Sequence, residues 1–316
     1  MSEATIAAVQ PAALSATAKD YLLLMKPRVM SLVIFTAFVG ILTAPVAMNP
    51  FALLCAVLAV AIGSGAAGAL NMWYDSDIDA QMARTVLRPV PAGIIRREDA
   101  FGFGMFMSVL SVTLMALAST PLAAALLAFS IFFYVVVYTM WLKRLTAQNI
   151  VIGGAAGAFP PMIGWAAATG TVSTDAWIMF GLIFLWTPPH FWALSLWTSK
   201  EYARAGVPML PVTRGAKETR LQILLYTIVA APFGLVPVLT GLGGAIYLVV
   251  AAVGGLAFLW CAIRIFTSRA GDADAPTDMK HAKKMFAVSI FYLFALFAAL
   301  MVERLLPLHF PLMGVA

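Results

Sequence analysis

Hydrophobic and polar positions alternate along this chain in long blocks. Nine apolar segments of about twenty residues are separated by polar breaks. The segments lie at roughly 28–48, 51–71, 101–119, 121–141, 149–169, 174–197, 221–241, 243–266 and 285–305. Because a helix of about 20 residues rises about 30 Å, each segment is long enough to cross a bilayer core. The pattern predicts an all-α integral membrane protein with nine transmembrane helices.

The polar breaks are of two kinds, and the difference between them predicts how the chain is oriented. The short breaks near 49, 120, 171 and 242 contain no Lys or Arg, whereas the long breaks at 72–100, 142–148, 198–220 and 267–284 are basic. With nine spans and a cytoplasmic N-terminus, Arg304 is the only one of 20 Lys and Arg residues on the outer side. This asymmetry follows the positive-inside rule and supports the nine-helix prediction.

The composition excludes an ordinary soluble domain. The 316 residues are 62% hydrophobic and only 11% charged, whereas soluble domains carry about 25% charged residues. The basic inner loops account for the net charge of +6, so we expect no nucleic-acid partner. Cys55 and Cys261 lie in apolar segments and indicate neither a disulfide nor a metal site.

The domain organisation predicted from the sequence is simple. Residues 1–20 are small and polar, without a charged region followed by a short apolar core. We expect them to form a disordered cytoplasmic tail rather than a cleaved signal peptide. Residues 21–316 are expected to form a single transmembrane domain. The acidic stretch 271–278 is interpreted as a solvated loop with helix-capping acids, and the alternative is a second acidic site.

Three polar residues recur at four-residue steps where the second apolar segment ends. Asn71, Asp75 and Asp79 share one face if the helix continues, and they emerge at a membrane surface. Because like charges at this spacing repel, and carboxylates near lipid are costly, the arrangement favours a bound cation. Oxygen ligands without His or Cys suit Mg²⁺, which proteins hold with carboxylates plus substrate phosphates. We interpret Asn71, Asp75 and Asp79 as Mg²⁺ ligands, and the two aspartates also as catalytic residues. The alternative is a loop of surface acids. Asp77 points away from the shared face and is expected to be such a solvated acid.

Cationic residues follow this cluster and predict a diphosphate site. Arg84 and Arg88 are four residues apart and offer guanidinium groups to phosphate oxygens. Lys143 and Arg144, at the end of the fourth segment, are either further phosphate ligands or ordinary interfacial cations. Lys200, in the basic break after the sixth segment, joins the substrate-binding candidates, although this stretch also fits a structured cytosolic loop.

The sixth apolar segment contains an ionisable residue directly after two prolines. Pro188 and Pro189 are expected to interrupt the helical hydrogen bonds and kink the helix. His190 then lies beside freed backbone carbonyl groups. It is a candidate catalytic residue, as an iron ligand, a proton acceptor or a substrate contact. The alternative is a neutral core histidine that is hydrogen-bonded to a carbonyl.

Together these motifs resemble the membrane prenyltransferase superfamily that includes the 4-hydroxybenzoate polyprenyltransferases. Within it, the chain is most similar to the protohaem IX farnesyltransferases, also called haem O synthases. The matching stretches are Asp79-x₂-Met-x-Arg-Thr-x₂-Arg-Pro, Tyr138-Thr-x-Trp-Leu-Lys-Arg, Thr187-Pro-Pro-His-Phe-Trp and Ala205-Gly-Val-Pro-Met-Leu-Pro. One difference concerns a second Asp-x₃-Asp motif of the wider superfamily, which is replaced here by a stretch containing Lys200 and Glu201.

The resemblance implies nine transmembrane helices around a central cavity that opens to the cytosolic side. It implies transfer of the farnesyl group of farnesyl diphosphate to a vinyl group of haem B, with addition of water, giving haem O and diphosphate. The implied site residues are Asn71, Asp75 and Asp79 for Mg²⁺, Arg84, Arg88, Lys143 and Arg144 for the diphosphate, and His190 for the haem acceptor.

Two other functions remain open on the sequence. One is a prenyltransferase whose acceptor is an aromatic precursor of a quinone. The Pro-Pro-His-Phe-Trp stretch favours haem over that acceptor. The other is a transporter that uses Asp75 and Asp79 as an ion site, although transporters place such charges near the bilayer midplane. The expected partners are farnesyl diphosphate, haem B and the lipid bilayer, with a second copy of the chain or a haem A pathway protein as a further candidate. The expected location is the bacterial inner membrane, with the N-terminus and active-site loops in the cytoplasm.

Overall fold

Every regular element is helical in the residues described by this computed structural model, which are 16–272 and 279–306. The first half of the chain forms α1 (Ala18–Leu24), α2 (Pro27–Thr43), α3 (Pro50–Tyr74), α4 (Ser76–Asp79), α5 (Arg97–Ala118), α6 (Pro121–Phe132), a π-helix (Phe133–Leu142) and α7 (Lys143–Leu145). The second half forms α8 (Asn149–Thr169), α9 (Thr174–Arg204), α10 (Leu210–Thr213), α11 (Gly215–Phe233), α12 (Val236–Leu239), α13 (Ala245–Phe266) and α14 (Lys280–Leu305).

The number of membrane spans agrees with the apolar pattern. Within the described residues, eight helical spans are long and apolar enough to cross a membrane, and α1 with α2 makes a ninth candidate that is bent by 60°. The predicted all-α membrane fold is therefore confirmed. Several ends differ from the prediction, because helices continue past their apolar cores: α9 extends to Arg204, α11 begins at Gly215 and α14 begins at Lys280.

Two predictions concern polar stretches that are described only in part. Helix α1 begins at Ala18, inside the stretch 1–20 that was expected to be a tail, and residues 1–15 lie outside the described part. Most of the acidic stretch 271–278 also lies outside it, since residues 273–278 are not described. Asp272 is described and receives a hydrogen bond of 2.8 Å from Arg220.

The short breaks are tight turns with helix caps. Asn49 Oδ1 accepts a hydrogen bond of 2.9 Å from the backbone N–H of Phe51, and Thr120 Oγ1 accepts one of 3.2 Å from Ala123. Ser173 caps α9 in the same way. These side chains satisfy N–H groups that the first turn of a helix leaves without a partner. The breaks near 49, 120 and 171 therefore end one span and start the next within a few residues.

The long basic breaks meet at the other end of the bundle, called here the basic end. Side chains from different breaks contact one another there: Arg144 pairs with Asp77 at 2.7 Å, and Arg84 donates to the Tyr202 hydroxyl at 3.4 Å. Arg304 lies at the opposite end, where it donates to the carbonyl oxygen of Ala44 at 3.1 Å. The charge asymmetry of the sequence is thus an asymmetry between the two ends of the helix bundle.

Helix α8 lies in the interior, between α2 and α9. Its contact with α2 is so close that it requires glycine on both helices. A Cβ on Gly40 would lie 2.1 Å from the carbonyl oxygen of Pro161, and a Cβ on Gly164 would lie 2.1 Å from that of Ala37. Small residues generally allow such backbone contacts between membrane helices.

Helix α9 continues without interruption through Pro188 and Pro189. The expected break in this span is therefore absent, although each proline removes a backbone N–H. Both prolines are buried among neighbouring helices, and such packing commonly holds a membrane helix together at proline. His190 consequently has a fixed position on a long, continuous helix.

Candidate functional site

The four-residue steps of Asn71, Asp75 and Asp79 are preserved, although α3 ends just before Asp75. The backbone N–H of Asp75 donates to the carbonyl of Asn71 at 2.9 Å, and that of Asp79 donates to the carbonyl of Asp75 at 2.8 Å. The three residues are only 4%, 0% and 2% exposed, respectively. The polar face expected from the sequence is therefore enclosed by protein at the basic end.

Asn71 links three separate parts of the chain through its carboxamide. Lys26 Nζ donates to Asn71 Oδ1, while Asn71 Nδ2 donates to Asp75 Oδ2 at 2.8 Å and to Thr139 Oγ1 at 3.0 Å. Because an ammonium group can only donate, its contact fixes which end of the amide is oxygen. The Asn71 NH₂ group is thereby directed at the Asp75 carboxylate.

Asp75 is fully buried and is balanced by cations. Lys143 Nζ forms an ion pair with Asp75 Oδ2, and Arg144 Nη2 lies 3.6 Å from Asp75 Oδ1. Asp75 Oδ1 itself has no hydrogen-bond partner. A buried carboxylate oxygen that accepts no hydrogen bond is unusual unless it serves a ligand. Asp75 Oδ1, whose one ion pair is the longer contact with Arg144, is therefore a candidate for binding a further cation.

Asp79 and the two arginines after it form a more open part of the site. Arg88 Nη1 pairs with Asp79 Oδ2 at 2.7 Å, and Thr85 Oγ1 donates to the backbone carbonyl of Asp79 at 2.7 Å. Arg84 contacts Tyr202 instead, with its guanidinium 6.0 Å from the ring centroid. The two predicted arginines thus differ, because only Arg88 contacts a carboxylate of the motif.

Arg144, in α7, binds to residues at the corner between α3 and α4. It makes two hydrogen bonds, of 2.7 and 2.8 Å, to the carboxylate of Asp77, and its guanidinium lies 4.8 Å from the Tyr74 ring centroid. The hydrogen bonds from Arg144 hold the pKa of Asp77 below its ordinary value. Asp77 is exposed, whereas Asp75 and Asp79 are buried, which agrees with the different side that the helical spacing predicts for it.

The π-helix and the residue that follows it supply two contacts to the Asn71–Asp75 side. The Lys143 backbone N–H, just past the π-helix, bonds to the carbonyl of Tyr138, five residues back, and Thr139 Oγ1 donates to the carbonyl of Tyr134 at 2.9 Å. Thr139 and Lys143 are four residues apart, which is about one helical turn, so their side chains lie on the same side of the helix. Thr139 contacts Asn71 there, and Lys143 contacts Asp75.

Two tyrosines lie on the same π-helix. The rings of Tyr134 and Tyr138 are 5.5 Å apart. Tyr138 also packs on α8, where a Cβ on Gly153 would lie 2.2 Å from its ring. The glycine at the start of α8 thus makes room for an aromatic side chain beside the candidate site.

His190 is buried and has one defined hydrogen bond. Its Nδ1 lies 2.6 Å from Ser289 Oγ, and that hydroxyl donates to the Phe286 carbonyl at 2.7 Å. Because the serine hydrogen is used there, Nδ1 is the donor and Nε2 carries the lone pair of the neutral ring. The ring is stacked between Trp186 and Phe286, at centroid distances of 4.2 and 4.4 Å. Its partner is thus a side chain of α14 rather than a carbonyl freed by the prolines.

The stretch that replaces the second Asp-x₃-Asp motif gives two different results. Lys200 is exposed and has no hydrogen bond or ion pair within the described residues, so nothing ties it to the other candidates. The neighbouring Glu201 has a buried carboxylate oxygen, Oε2, without a hydrogen-bond partner. Glu201 is therefore a candidate for an interaction with a cation, and the substrate-binding role of Lys200 stays a prediction.

The donor atoms at Asp75 fit a magnesium ion that shares its coordination with a substrate. The described residues contain no group of three or more His, Cys, Asp or Glu side chains around one point. They do contain two carboxylates, Asp75 and Asp79, and the buried Oδ1 of Asp75 accepts no hydrogen bond. Mg²⁺ is usually held in this way, by one or two carboxylates plus phosphate oxygens.

The structure adds residues to the site that the sequence interpretation omitted. Lys26 and Thr139 both contact Asn71, Tyr202 contacts Arg84, and Ser289 contacts His190. Polar residues within apolar segments are a general signal of function in membrane proteins. That signal was present for Thr139 and Ser289, whereas Lys26 was interpreted only as an inner-side charge.

Comparison with known proteins places the chain among prenyltransferases. The UbiA prenyltransferase family matches residues 32–290. A protoheme IX farnesyltransferase from Hyphomonas neptunium is 60% identical over 99% of this chain and 100% of its own length. One from Caulobacter vibrioides is 58% identical and covers 90% of each chain.

Solved structures of low sequence identity share the fold. A digeranylgeranylglyceryl phosphate synthase structure matches with a TM-score of 0.74 and 16% identity, over 90% of this chain and 98% of that one. A UbiA homologue from Archaeoglobus fulgidus bound to GPP and Mg²⁺ matches with a TM-score of 0.66 and 13% identity, over 90% and 99% of the two chains. At these identities the likeness concerns the arrangement of the helices.

Proposed function

Because the chain belongs to the UbiA prenyltransferase family, we propose that it transfers the farnesyl group of farnesyl diphosphate to a vinyl group of haem B. Water is added in the same reaction, and the products are haem O and diphosphate. Relatives that are 54–60% identical over most of the chain carry the name protoheme IX farnesyltransferase. Their similarity supports haem B as the acceptor.

The observation that carries the proposal is the pairing of two buried carboxylates with cations at the basic end. Asp75 is paired with Lys143, and Asp79 is paired with Arg88. An allylic diphosphate ionises when the negative charge of its leaving group is neutralised. Lys143 and Arg88 are the two cations best placed for this purpose, since each already lies against a carboxylate of the motif.

Some of the residues around the proposed diphosphate site would hold the metal ion or position its ligands, and others would neutralise the charge of the diphosphate. Asp75 and Asp79, with Asn71 alongside, would hold a Mg²⁺ ion, which would supply Lewis-acid neutralisation of the leaving group. Asn71 Nδ2 orients the Asp75 carboxylate, since it donates to Asp75 Oδ2 at 2.8 Å. Arg144 holds the surrounding corner together through Asp77. Arg84, beside Tyr202, lies at the outer part of the site.

The proposed reaction breaks one C–O bond and forms a new C–C bond and a new C–O bond. The C1–O bond of farnesyl diphosphate breaks, and its electron pair leaves with the diphosphate. The π electrons of the haem vinyl group form the new bond to C1, which leaves a carbocation next to the porphyrin ring. The oxygen of a water molecule adds there and releases one proton. The lone pair of His190 Nε2 either accepts this proton or binds the haem iron.

A comparison of acceptors tests the proposal. Purified protein is incubated with farnesyl diphosphate, Mg²⁺ and either haem B or 4-hydroxybenzoate, and the products are identified by mass spectrometry. Haem O and diphosphate are expected from haem B, with no farnesylated 4-hydroxybenzoate. The reverse result would establish a quinone-precursor prenyltransferase instead. Haem extracted from cells with and without the protein provides the corresponding measurement in vivo.

We further propose that this multi-pass protein lies in the bacterial inner membrane with its basic end in the cytoplasm. The positive-inside rule supports this orientation, because Arg304 is the one cation at the opposite end among the described residues. Single cysteines in place of Gln81 and Thr240 test it, in a background without Cys55 and Cys261. A membrane-impermeant thiol reagent added to intact spheroplasts should label Thr240→Cys but not Gln81→Cys.

A further inference from the structure

Lys26 has an unusual backbone conformation at the bend between α1 and α2. Its φ of 58° and ψ of 59° are left-handed, and it is the only non-glycine residue with a positive φ among those described. This conformation costs free energy for any residue with a Cβ atom, and glycine adopts it without that cost. A lysine at such a position indicates that its side chain has a function there.

Met25, the residue before Lys26, packs the bend between α1 and α2 onto α3. A Cβ on Gly65 would lie 2.3 Å from Met25 Cε, and a Cβ on Gly68 would lie 3.1 Å from the Met25 carbonyl oxygen. Met25 therefore fills a groove on α3 that two glycines create. This groove lies immediately before Asn71 in sequence, so the packing of Met25 determines where the Lys26 side chain starts.

The ammonium group of Lys26 reaches the motif but is not neutralised by it. Lys26 Nζ donates to the neutral oxygen of Asn71, and it forms no ion pair with a carboxylate in the described residues. In contrast, Lys143 pairs with Asp75 and Arg88 pairs with Asp79. A half-buried cation in a membrane protein is costly unless it meets an anion.

We propose that Lys26 is a binding residue for the diphosphate of the prenyl donor, delivered to the site by the bend between α1 and α2. The anion that its charge lacks within the protein is supplied by the substrate. The inference rests on the function proposed above and adds a cation that lies outside the Asp79–Pro89 and Tyr138–Arg144 motifs. Lys26 also keeps the Asn71 amide turned toward Asp75, so donor binding and the orientation of Asn71 are linked through one ammonium group.

Equilibrium binding to the purified full-length protein tests this role. Affinity for farnesyl diphosphate with Mg²⁺ is measured by calorimetry, and affinity for haem B by absorption. Lys26→Met should weaken farnesyl diphosphate binding by about tenfold or more, the range expected for a lost hydrogen bond to a charged group. Its haem B affinity should stay unchanged. Arg28→Met is the matched control, because it removes an exposed cation two residues away and should change neither affinity.

Two further variants separate the charge from the backbone. Lys26→Arg retains a cation and should recover most of the affinity, whereas Lys26→Gly suits the left-handed backbone. The glycine variant should therefore have an unchanged or higher melting temperature and still bind farnesyl diphosphate weakly. Wild-type affinity in Lys26→Met or Lys26→Gly would overturn the inference, as would equal loss of haem B binding in both. If the wild-type protein itself bound no farnesyl diphosphate, the proposed function would fail instead.

Discussion

Lys143 forms an ion pair with Asp75 although the two residues lie 68 positions apart in the sequence. The pair joins the end of the π-helix to the corner that follows α3. Lys143 lies on the same side of the helix as Thr139, one turn earlier, whose hydroxyl accepts a hydrogen bond of 3.0 Å from Asn71 Nδ2. Leu142 precedes Lys143 by one residue and therefore points to a different side.

Exchanging Leu142 and Lys143 tests whether the pair with Asp75 requires a lysine at position 143. In the double variant Leu142→Lys/Lys143→Leu, the lysine is moved by one residue, away from the side of the helix that contacts Asn71 and Asp75. We expect at least about a hundredfold loss of turnover, the typical effect of removing one charge-stabilising contact. The measurement is the rate of diphosphate release with farnesyl diphosphate, Mg²⁺ and haem B.

The single variant Lys143→Leu is the control for this exchange. It should lose as much activity as the exchanged protein, because a lysine at position 142 faces elsewhere. Recovery of activity in the exchanged protein, relative to Lys143→Leu, would mean that the lysine does not have to lie at position 143.

Removal of the Asp75 carboxylate should affect both activity and stability. Asp75→Ala leaves Lys143 buried without its partner, and breaking such a pair typically costs about 3–5 kcal/mol. Asp79→Ala should cost less stability, because its partner Arg88 is 27% exposed. Turnover should be abolished in both variants at ordinary Mg²⁺ concentrations. Thermal unfolding and diphosphate release in detergent measure the two effects separately.

A double variant separates stability from catalysis at this pair. Asp75→Asn/Lys143→Met removes both charges at similar volume and should recover much of the stability that Asp75→Ala loses. It should remain inactive, since neither the metal ligand nor the diphosphate cation is restored. An active double variant would refute both assigned roles.

The sequence predicted the membrane fold correctly, because apolar length determines a transmembrane helix. The four-residue steps of Asn71, Asp75 and Asp79 are also present in the structure, whereas their role as metal ligands stays a prediction. Spacing did not reveal the π-helix, because its sequence is as apolar as that of an α-helix. It also did not reveal Lys26, whose contact with Asn71 depends on a backbone bend that only the packed structure defines.

Arg88 and Arg84 should differ in their effects on substrate use. Arg88 contacts Asp79, whereas Arg84 is exposed and lies beside Tyr202. Arg88→Ala should therefore raise the KM for farnesyl diphosphate by about tenfold or more, because a cation facing a polyanion acts already in the ground state. Arg84→Ala should raise it less. Lys200→Ala, which removes an exposed cation without described contacts, is the comparison variant. Equal KM values for Arg88→Ala and Lys200→Ala would remove Arg88 from the diphosphate site.

The pair of Arg144 and Asp77 should contribute a small, pH-dependent stability. Hydrogen bonds from Arg144 lower the pKa of Asp77 below its ordinary value of 3.8 in the folded protein. A lowered folded pKa means that the stabilisation is present above the ordinary value and is lost as pH falls through the lowered one. Because Asp77 is largely exposed, we expect Asp77→Asn to cost at most about 1 kcal/mol at pH 7. The free energy of unfolding is measured for wild type and Asp77→Asn from pH 7 to pH 3. The difference between the two proteins should become smaller as the pH falls, and a difference that became larger would contradict the assignment.

His190 should act on the haem acceptor rather than on the diphosphate donor. Its Nδ1 donates to Ser289 and its ring is stacked between Trp186 and Phe286, so Nε2 is the atom with a free lone pair. His190→Ala should change the haem absorption spectrum or lower haem B affinity, while Mg²⁺-dependent farnesyl diphosphate binding stays intact. Ser289→Ala is the matched variant, because it removes the hydrogen bond that selects the tautomer but keeps the imidazole. It should lower activity less than His190→Ala and retain the haem spectrum. Equal loss of donor and acceptor binding in His190→Ala would indicate a structural role, and full haem O production would show that His190 is only a hydrogen-bonded core residue.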